Sequence, residues 1–436
     1  MREKHKTSLV HQATDDRISD DRMSDEIFLQ IICCLPYYDQ CTLRCVSPRI
    51  RALLLSDAFT VTRRSSGCVE KGIIIVYNVT YTDEQGYLIY KAECWLLVDS
   101  RWLQLPSPII TRQCACSGVI GDQLYLFGGF GGDTPSIPSA DRTAVLSTLR
   151  RNWLQWIPRF IISVVSTIAR RTGTWRFAYS VARVCLGVRP REAKQTRSHL
   201  KTVEVYTLSS NTWRLLPVAM NECRNNAVCC VLGGSLVVSG GFNHNMINLN
   251  SAEIYDPKSG EWTKISPPPA QGSPIMACVL DKRLFVVTIP SLLDGNTINM
   301  LQVWNPDSDE WTLCEPMPNR RYGAACIVYY DRIMIMGGFV WEDNGEADNG
   351  EHPDYEGSTS VIFYDPKLDT WANGPPLPEP HVYSQAVWCD EAVILLGRPR
   401  FLKFTNNAWE YIYDEKTAKR FGDHTRLISA HSINLV

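Results

Sequence analysis

The chain has 436 residues, 45% of them hydrophobic, and a formal net charge of -2. That is enough for a large domain plus a small one with a real core, and it excludes the overall basic character of a nucleic-acid binder. No apolar run reaches the roughly 18 residues that a membrane helix needs.

Residues 1–20 are polar, mixed in charge and without period, and read as a disordered leader. The next stretch, 21–66, changes character. Ser24 or Asp25 can cap a helix carrying Ile27, Phe28, Ile31, Ile32 and Leu35, and Pro36 ends it. Two more short helices are expected near 39–46 and 50–55, with a short linker from Phe59 to Gly67. Three such helices make a marginal core, which suits either a cap on the next domain or a docking module.

From Gly67 onward strand-like runs alternate with turn residues. An aromatic, six residues and a tryptophan recur at 206–213, 255–262, 304–311 and 364–371, and a strand ending Gly-Gly-Phe precedes three of them, at 124–130, 236–242 and 333–339. The central residues of the octapeptide have turn chemistry, as in Asp256-Pro257-Lys258-Ser259. Interleaved copies in fixed order are an internal repeat of four-stranded units. Trp95 and Trp102 share the spacing and mark a first unit over 67–102; an eroded sixth runs from His381 to Trp409. The expectation is a β-propeller of six blades over 67–411, with a tail, 412–436, that either supplies a closing strand or hangs free.

Two blades carry long insertions between second and third strands. That in blade two, 131–201, is rich in arginine (Arg150, Arg151, Arg170, Arg171), whereas that in blade five, 341–357, is acidic (Glu342, Asp343, Glu346, Asp348). The basic one reads as a partner helix, an anionic-surface patch, or a stretch foreign to the functional product. In a six-bladed ring, blades two and five face each other across the channel. The same face should receive Arg112, Arg224 and Arg321, which precede first strands, and Phe130, Phe242, Asn243 and Phe339, which follow or adjoin the glycine pairs. Arginine and aromatic residues are frequent interface anchors, so these seven are the candidate target-binding set; blade packing is the alternative use for them.

The segment 23–59 resembles the F-box, the helical module that binds the Skp-family adaptor of cullin–RING ubiquitin ligases, through Asp25, Glu26, Ile27, Ile31, Ile32, Leu35, Pro36, Leu43, Val46, Arg49, Leu53 and Phe59. Ser24 stands where that family usually has proline, and Pro48 and Ile50 where it has a basic residue and tryptophan. The glycine pairs and octapeptides resemble the kelch repeat. Together they imply an α+β multidomain chain, a three-helix F-box followed by an all-β kelch propeller, as in the F-box/kelch family. The resemblance implies that residues 25, 26, 27, 31, 32, 35, 36, 43 and 46 contact the adaptor, that cullin and RING subunits follow through it, and that the propeller binds an unidentified target protein. A kelch-repeat scaffold or cytoskeletal adaptor without ligase role is the alternative. The implied location is cytoplasmic, nuclear or both, and the 16 cysteines read as thiols of a reducing compartment.

No enzyme, cofactor or metal site is expected. Cys-x-x-Cys zinc spacing, a phosphate loop and a nucleophile elbow are absent from the sequence, and a copper site of the galactose-oxidase kind would need histidine pairs that it lacks.

Overall fold

The computed structural model describes residues 24–82, 88–99, 101–131, 198–290, 298–341, 357–398, 400–412 and 425–435. The leader, the Arg-rich insertion and nearly all of the acidic insertion lie outside the described residues; the flanking strands set both insertions between second and third strands of their blades.

Helices α1 (Asp25–Ile32), α2 (Tyr37–Leu43), α3 (Pro48–Leu54) and α4 (Asp57–Ser65) open the described chain. Serines start three of them: Ser24, Ser47 and Ser56 accept the amides of Ile27, Ile50 and Phe59 at 3.4, 3.1 and 3.2 Å. The fourth helix replaces the expected linker. In its sequence Phe59 and Val61 are the only large apolar residues, so no amphipathic period announces it; Phe59 forms it by inserting, fully buried, against Leu29, Ile32 and Leu54.

Six four-stranded antiparallel sheets follow among the described residues. In blades two to six the strands are consecutive, inner to outer. Blade one is assembled from both ends of the chain: Thr425–Leu435 is its inner strand, paired with Glu70–Thr82, then Leu88–Val98 and Arg101–Leu105. The tail therefore closes the ring. Each inner strand touches the inner strands of the blades on either side, and the closing strand touches those of blades six and two. His431 on it meets Ser117 Oγ of blade two at 2.8 Å.

The octapeptides form the outer hairpins. Tyr206 pairs with Trp213, Tyr255 with Trp262, Trp304 with Trp311 and Tyr364 with Trp371. The sixth position of each copy, Asn211, Gly260, Asp309 or Asp369, has positive φ, and three of these side chains also accept a hydrogen bond from the first aromatic. The tryptophans clasp neighbouring blades: the Nε1 groups of Trp213, Trp311, Trp371 and Trp409 donate to the carbonyls of Pro106, Ser266, Glu315 and Pro375, each just past the preceding blade's outer strand. Blade one departs from this register. Trp102 pairs with Leu97, not Trp95, because its hairpin is two residues tighter; the Trp95–Trp102 spacing is coincidental.

Candidate functional site

The F-box helices divide their apolar residues between two tasks. Leu29, Ile32, Cys33, Leu54 and Phe59 are buried together, with Phe28, Leu35 and Leu43 packed against them. Ile27 and Ile31, one turn apart on α1, are 53% and 51% exposed, and Val46 is 63% exposed. Ile27 and Ile31 thus lie at i and i+4 on the side of α1 turned away from the module's core. Asp25, Glu26 and Pro36 are exposed beside them; Asp25 pairs with Arg49 at 2.7 Å, a surface ion pair of small energetic consequence. Among the expected adaptor contacts, Ile32 at 2% exposure belongs to the module's own core, and Leu35 and Leu43 pack partly buried against it.

The module is fastened to the ring. Tyr37 of α2 is buried with Ile74, Leu96, Leu124 and Leu435 in the core between blades one and two. Arg63 of α4, wholly buried, donates from Nε to the carbonyl of Leu435 and from Nη1 to those of Cys33 and Leu35. Its Nη2 lies 3.5 Å from Glu70, whose carboxylate also accepts the amide of Tyr37. One side chain thus ties α1, the first strand and the closing strand. Burial lowers the Arg63 pKa, and the Glu70 carboxylate opposes that shift.

Glu70 pairs with Leu435 at the end of blade one that carries the outer hairpin turn. The glycine pairs and the lead-ins to the first strands lie at the opposite ends of their sheets. Adaptor-type helices and glycine-pair face therefore occupy opposite ends of the propeller.

On that second face the structure corrects the expectation for the arginines. Arg112, Arg224 and Arg321 are 0–1% exposed. Arg224 donates to Glu253 at 2.8 Å, to the carbonyls of Gly240 and Ser251 at 2.9 Å, and to Ser251 Oγ at 2.8 Å. Arg112 does the same with Glu204, Gly128 and Thr202, and Arg321 with Gly337 and Ser360. They are clamps joining the first, second and third strands within a blade, not target contacts. In blade five Ile362 stands where the carboxylate would be, no carboxylate among the described residues pairs with Arg321, and burial pushes that guanidinium down to about 10. Blade four rebuilds the clamp without charge: Gln302 stands at the glutamate position and donates to Thr288 Oγ1 at 2.8 Å. Blade six has His381 at the arginine position, where its Nδ1 meets Ser384 Oγ at 3.3 Å instead of spanning the strands, and burial lowers its pKa to about 4.

The glycine pairs are joints between blades. Gly128 has φ +65°, and a Cβ there would sit 2.6 Å from the carbonyl oxygen of Arg224 in the next blade. The amide of Gly129 donates to that same oxygen at 2.7 Å. The residues after the pairs are half-buried. Phe130 packs near His199, Phe242 bridges Asn225 and Asn248, and Asn243 accepts the amides of Asn245 and Ile247 to shape its loop. Phe339 lies edge-on to Tyr383, 5.8 Å between centroids.

What this face shows to solvent is a set that sequence reasoning missed. Met246 and Ile247 tip the blade-three loop at 63% and 58% exposure, Ile298 precedes the third strand of blade four at 53%, and Tyr322 and Tyr383 stand 38% and 52% exposed with rings 5.7 Å apart. Tyr383 has φ +53°, a conformation costly for a bulky residue, at the position that Gly323 fills in blade five and Asn226 in blade three. Only the ring's register brings Tyr322 of blade five against Tyr383 of blade six. Among the described residues no three His, Cys, Asp or Glu side chains are grouped to hold a metal, and no helix is long and apolar enough to cross a membrane.

Comparison with known proteins agrees with this architecture. The F-box domain model matches residues 21–62, and the KLHDC2/KLHL20/DRC7 kelch-repeats domain model matches residues 191–338. The chain is 27% identical to Kelch-like protein 35 of Mus musculus over 247 residues, 55% of this chain and 36% of that one. It is 35% identical over 63 residues to Kelch-like protein 21 of Bos taurus, 14% of this chain and 10% of that one. Over 37 residues, 8% of this chain and 10% of the relative, it is 49% identical to F-box/kelch-repeat protein SKIP30 of Arabidopsis thaliana. The chain spans only about a third or less of these relatives' lengths. A solved structure described as "Structure of YjhT" aligns at 13% identity and a TM-score of 0.49 over 78% of this chain and 97% of that one. The two matched domains stand in the order of the two modules seen in the fold, helices first and propeller second. The chain carries an F-box domain and a kelch-repeat domain, and it is similar to Kelch-like and F-box/kelch-repeat proteins.

Proposed function

We propose that this protein is a non-catalytic substrate receptor of an SCF-type ubiquitin ligase, working in the cytoplasm, the nucleus or both. The observation that carries the reading is α1, whose Ile27 and Ile31 stay outside a core already filled by Leu29 and Ile32. With Val46, also exposed, they offer apolar side chains for a Skp-family adaptor to cover, and cullin and RING subunits join through that adaptor. The target docks at the opposite end of the propeller, on Met246, Ile247, Ile298, Tyr322 and Tyr383. The mechanism is proximity: a target lysine is held near the ubiquitin-loaded enzyme, and a fixed joint between the modules raises its effective concentration.

The test is co-purification of the full chain with a Skp-family adaptor. Ile31→Asp, at a half-exposed position, should abolish capture while leaving the unfolding midpoint within about 0.5 kcal/mol of the parent. Failure of the unmodified, folded chain to bind the adaptor refutes the ligase reading and leaves a kelch scaffold.

A further inference from the structure

At the joint between the helices and the ring, three cysteines from two separate segments meet. Cys34 follows α1, and Cys68 lies between α4 and the first strand. Their sulfurs are 3.7 Å apart, with the Cys68 thiol donating to Cys34. Cys33 Sγ is 3.8 Å from Cys34 Sγ, but its thiol is buried and bonded to the carbonyl of Gln30 at 3.1 Å. We propose that Cys34 and Cys68 form a redox-controlled disulfide that staples the F-box to the first blade. The staple stands whatever α1 binds.

Arg63 aligns the two sulfurs. Its guanidinium holds the carbonyls of Cys33 and Leu35, on either side of Cys34, and its own carbonyl accepts the amide of Cys68 at 3.2 Å. Both thiols are thus registered on one buried residue. A disulfide needs its sulfurs near 2.05 Å, so the pair must close by about 1.7 Å, within the reach of side-chain rotation. The adjacent pair is disfavoured: neighbouring Cα atoms are about 3.8 Å apart, below the usual disulfide span of about 4.4–6.8 Å. Cys34 is exposed, so an oxidant has access to it.

With hydrogen peroxide as oxidant, Cys34 sulfur attacks one peroxide oxygen and the O–O bond breaks, giving a sulfenic acid and one water. Cys68 sulfur then attacks the sulfenic sulfur; the S–S bond forms and the hydroxyl leaves as a second water. Two thiols and one peroxide become one disulfide and two waters, and the peroxide takes both electrons. Burial and the neighbouring Cys68 and Cys33 thiols push Cys34 up to about 11. It is therefore protonated near neutral pH, and the pair acts as a latch under sustained oxidation, not as a fast sensor.

The full-length chain, treated with hydrogen peroxide, alkylated and digested without reduction, should yield a Cys34–Cys68 linked peptide by tandem mass spectrometry. Two thiols should be lost to alkylation and recovered with dithiothreitol. Cys33→Ser should keep the link and Cys68→Ser should lose it, with circular dichroism confirming the fold of each. Absence of the link in the oxidised parent chain overturns the proposal, as does a Cys33–Cys34 or interchain bridge in its place. The parent chain alone decides if a variant does not fold.

Discussion

Replacing Arg224 with alanine asks whether the arginines ahead of the first strands serve the fold or the target. The guanidinium is 1% exposed and its carboxylate partner Glu253 is wholly buried, so solvent screening does not soften the loss. Alanine would strand a buried carboxylate and remove the donor from the carbonyls of Gly240 and Ser251, a cost of about 3–5 kcal/mol. Arg321→Ala strands no anion, since its blade has Ile362 at that position; the lost acceptors of Gly337 and Ser360 should cost roughly 1–3 kcal/mol. Adding Glu253→Gln to Arg224→Ala removes the orphaned charge, as blade four does with Gln302, and should restore part of the loss. Urea unfolding of the three variants and the parent gives the comparison. If Arg224→Ala unfolded within 1 kcal/mol of the parent, about a fifth of the expected upper cost, and target capture vanished, the clamp assignment would be wrong and the residue would be a contact.

Deleting residues 425–435 should open the ring, expose the blade-one core and free the F-box joint, which small-angle scattering and a lost cooperative melt would register; an unchanged melt would deny the closure. Tyr330 is 72% exposed with φ +54° in a two-residue hairpin between Tyr329 and Arg332, where Asp331 has no positive φ, the pattern that calls for glycine at the first position. Tyr330→Gly should therefore raise stability by about 1 kcal/mol, less whatever its ring contributes against Trp388; a clear loss would show that the ring contact outweighs the strain. Burial lowers His381 and His431 to about 4, so each is neutral in the fold and takes up a proton on unfolding. Stability present above the unfolded value near 6.5 is lost as pH falls toward 4, by about 2 kcal/mol per histidine at pH 5. Melts from pH 7 to 5 should show the fall, and His381→Asn should flatten it.

The repeat unit was legible in the sequence because its physics is local. A glycine pair is needed wherever the chain turns with positive φ against the next blade's backbone, and a tryptophan wherever an outer strand must clasp its neighbour, so both recur at fixed spacing in this single chain. The first F-box helix was legible through its capping position at Ser24 or Asp25 and its apolar period. The fourth helix was not, because one phenylalanine that finds a pocket forms it. Nor was the register of blade one, where a tighter hairpin mimics the octapeptide spacing.

What only the tertiary structure decided is where shared residue types point. Arg224 before a strand reads alike as an open contact or a buried clamp; the choice rests on Glu253 and Ser251, some thirty residues away, which close over it. The closing strand carries neither glycine pair nor tryptophan, and its role exists only because residues 70 and 435 become partners. The sequence by itself determined the modules and their order, since those depend on local periodicity. Ring closure, the Arg63 joint and the solvent face of Tyr322 and Tyr383 depend on contacts between distant segments, which no local pattern encodes.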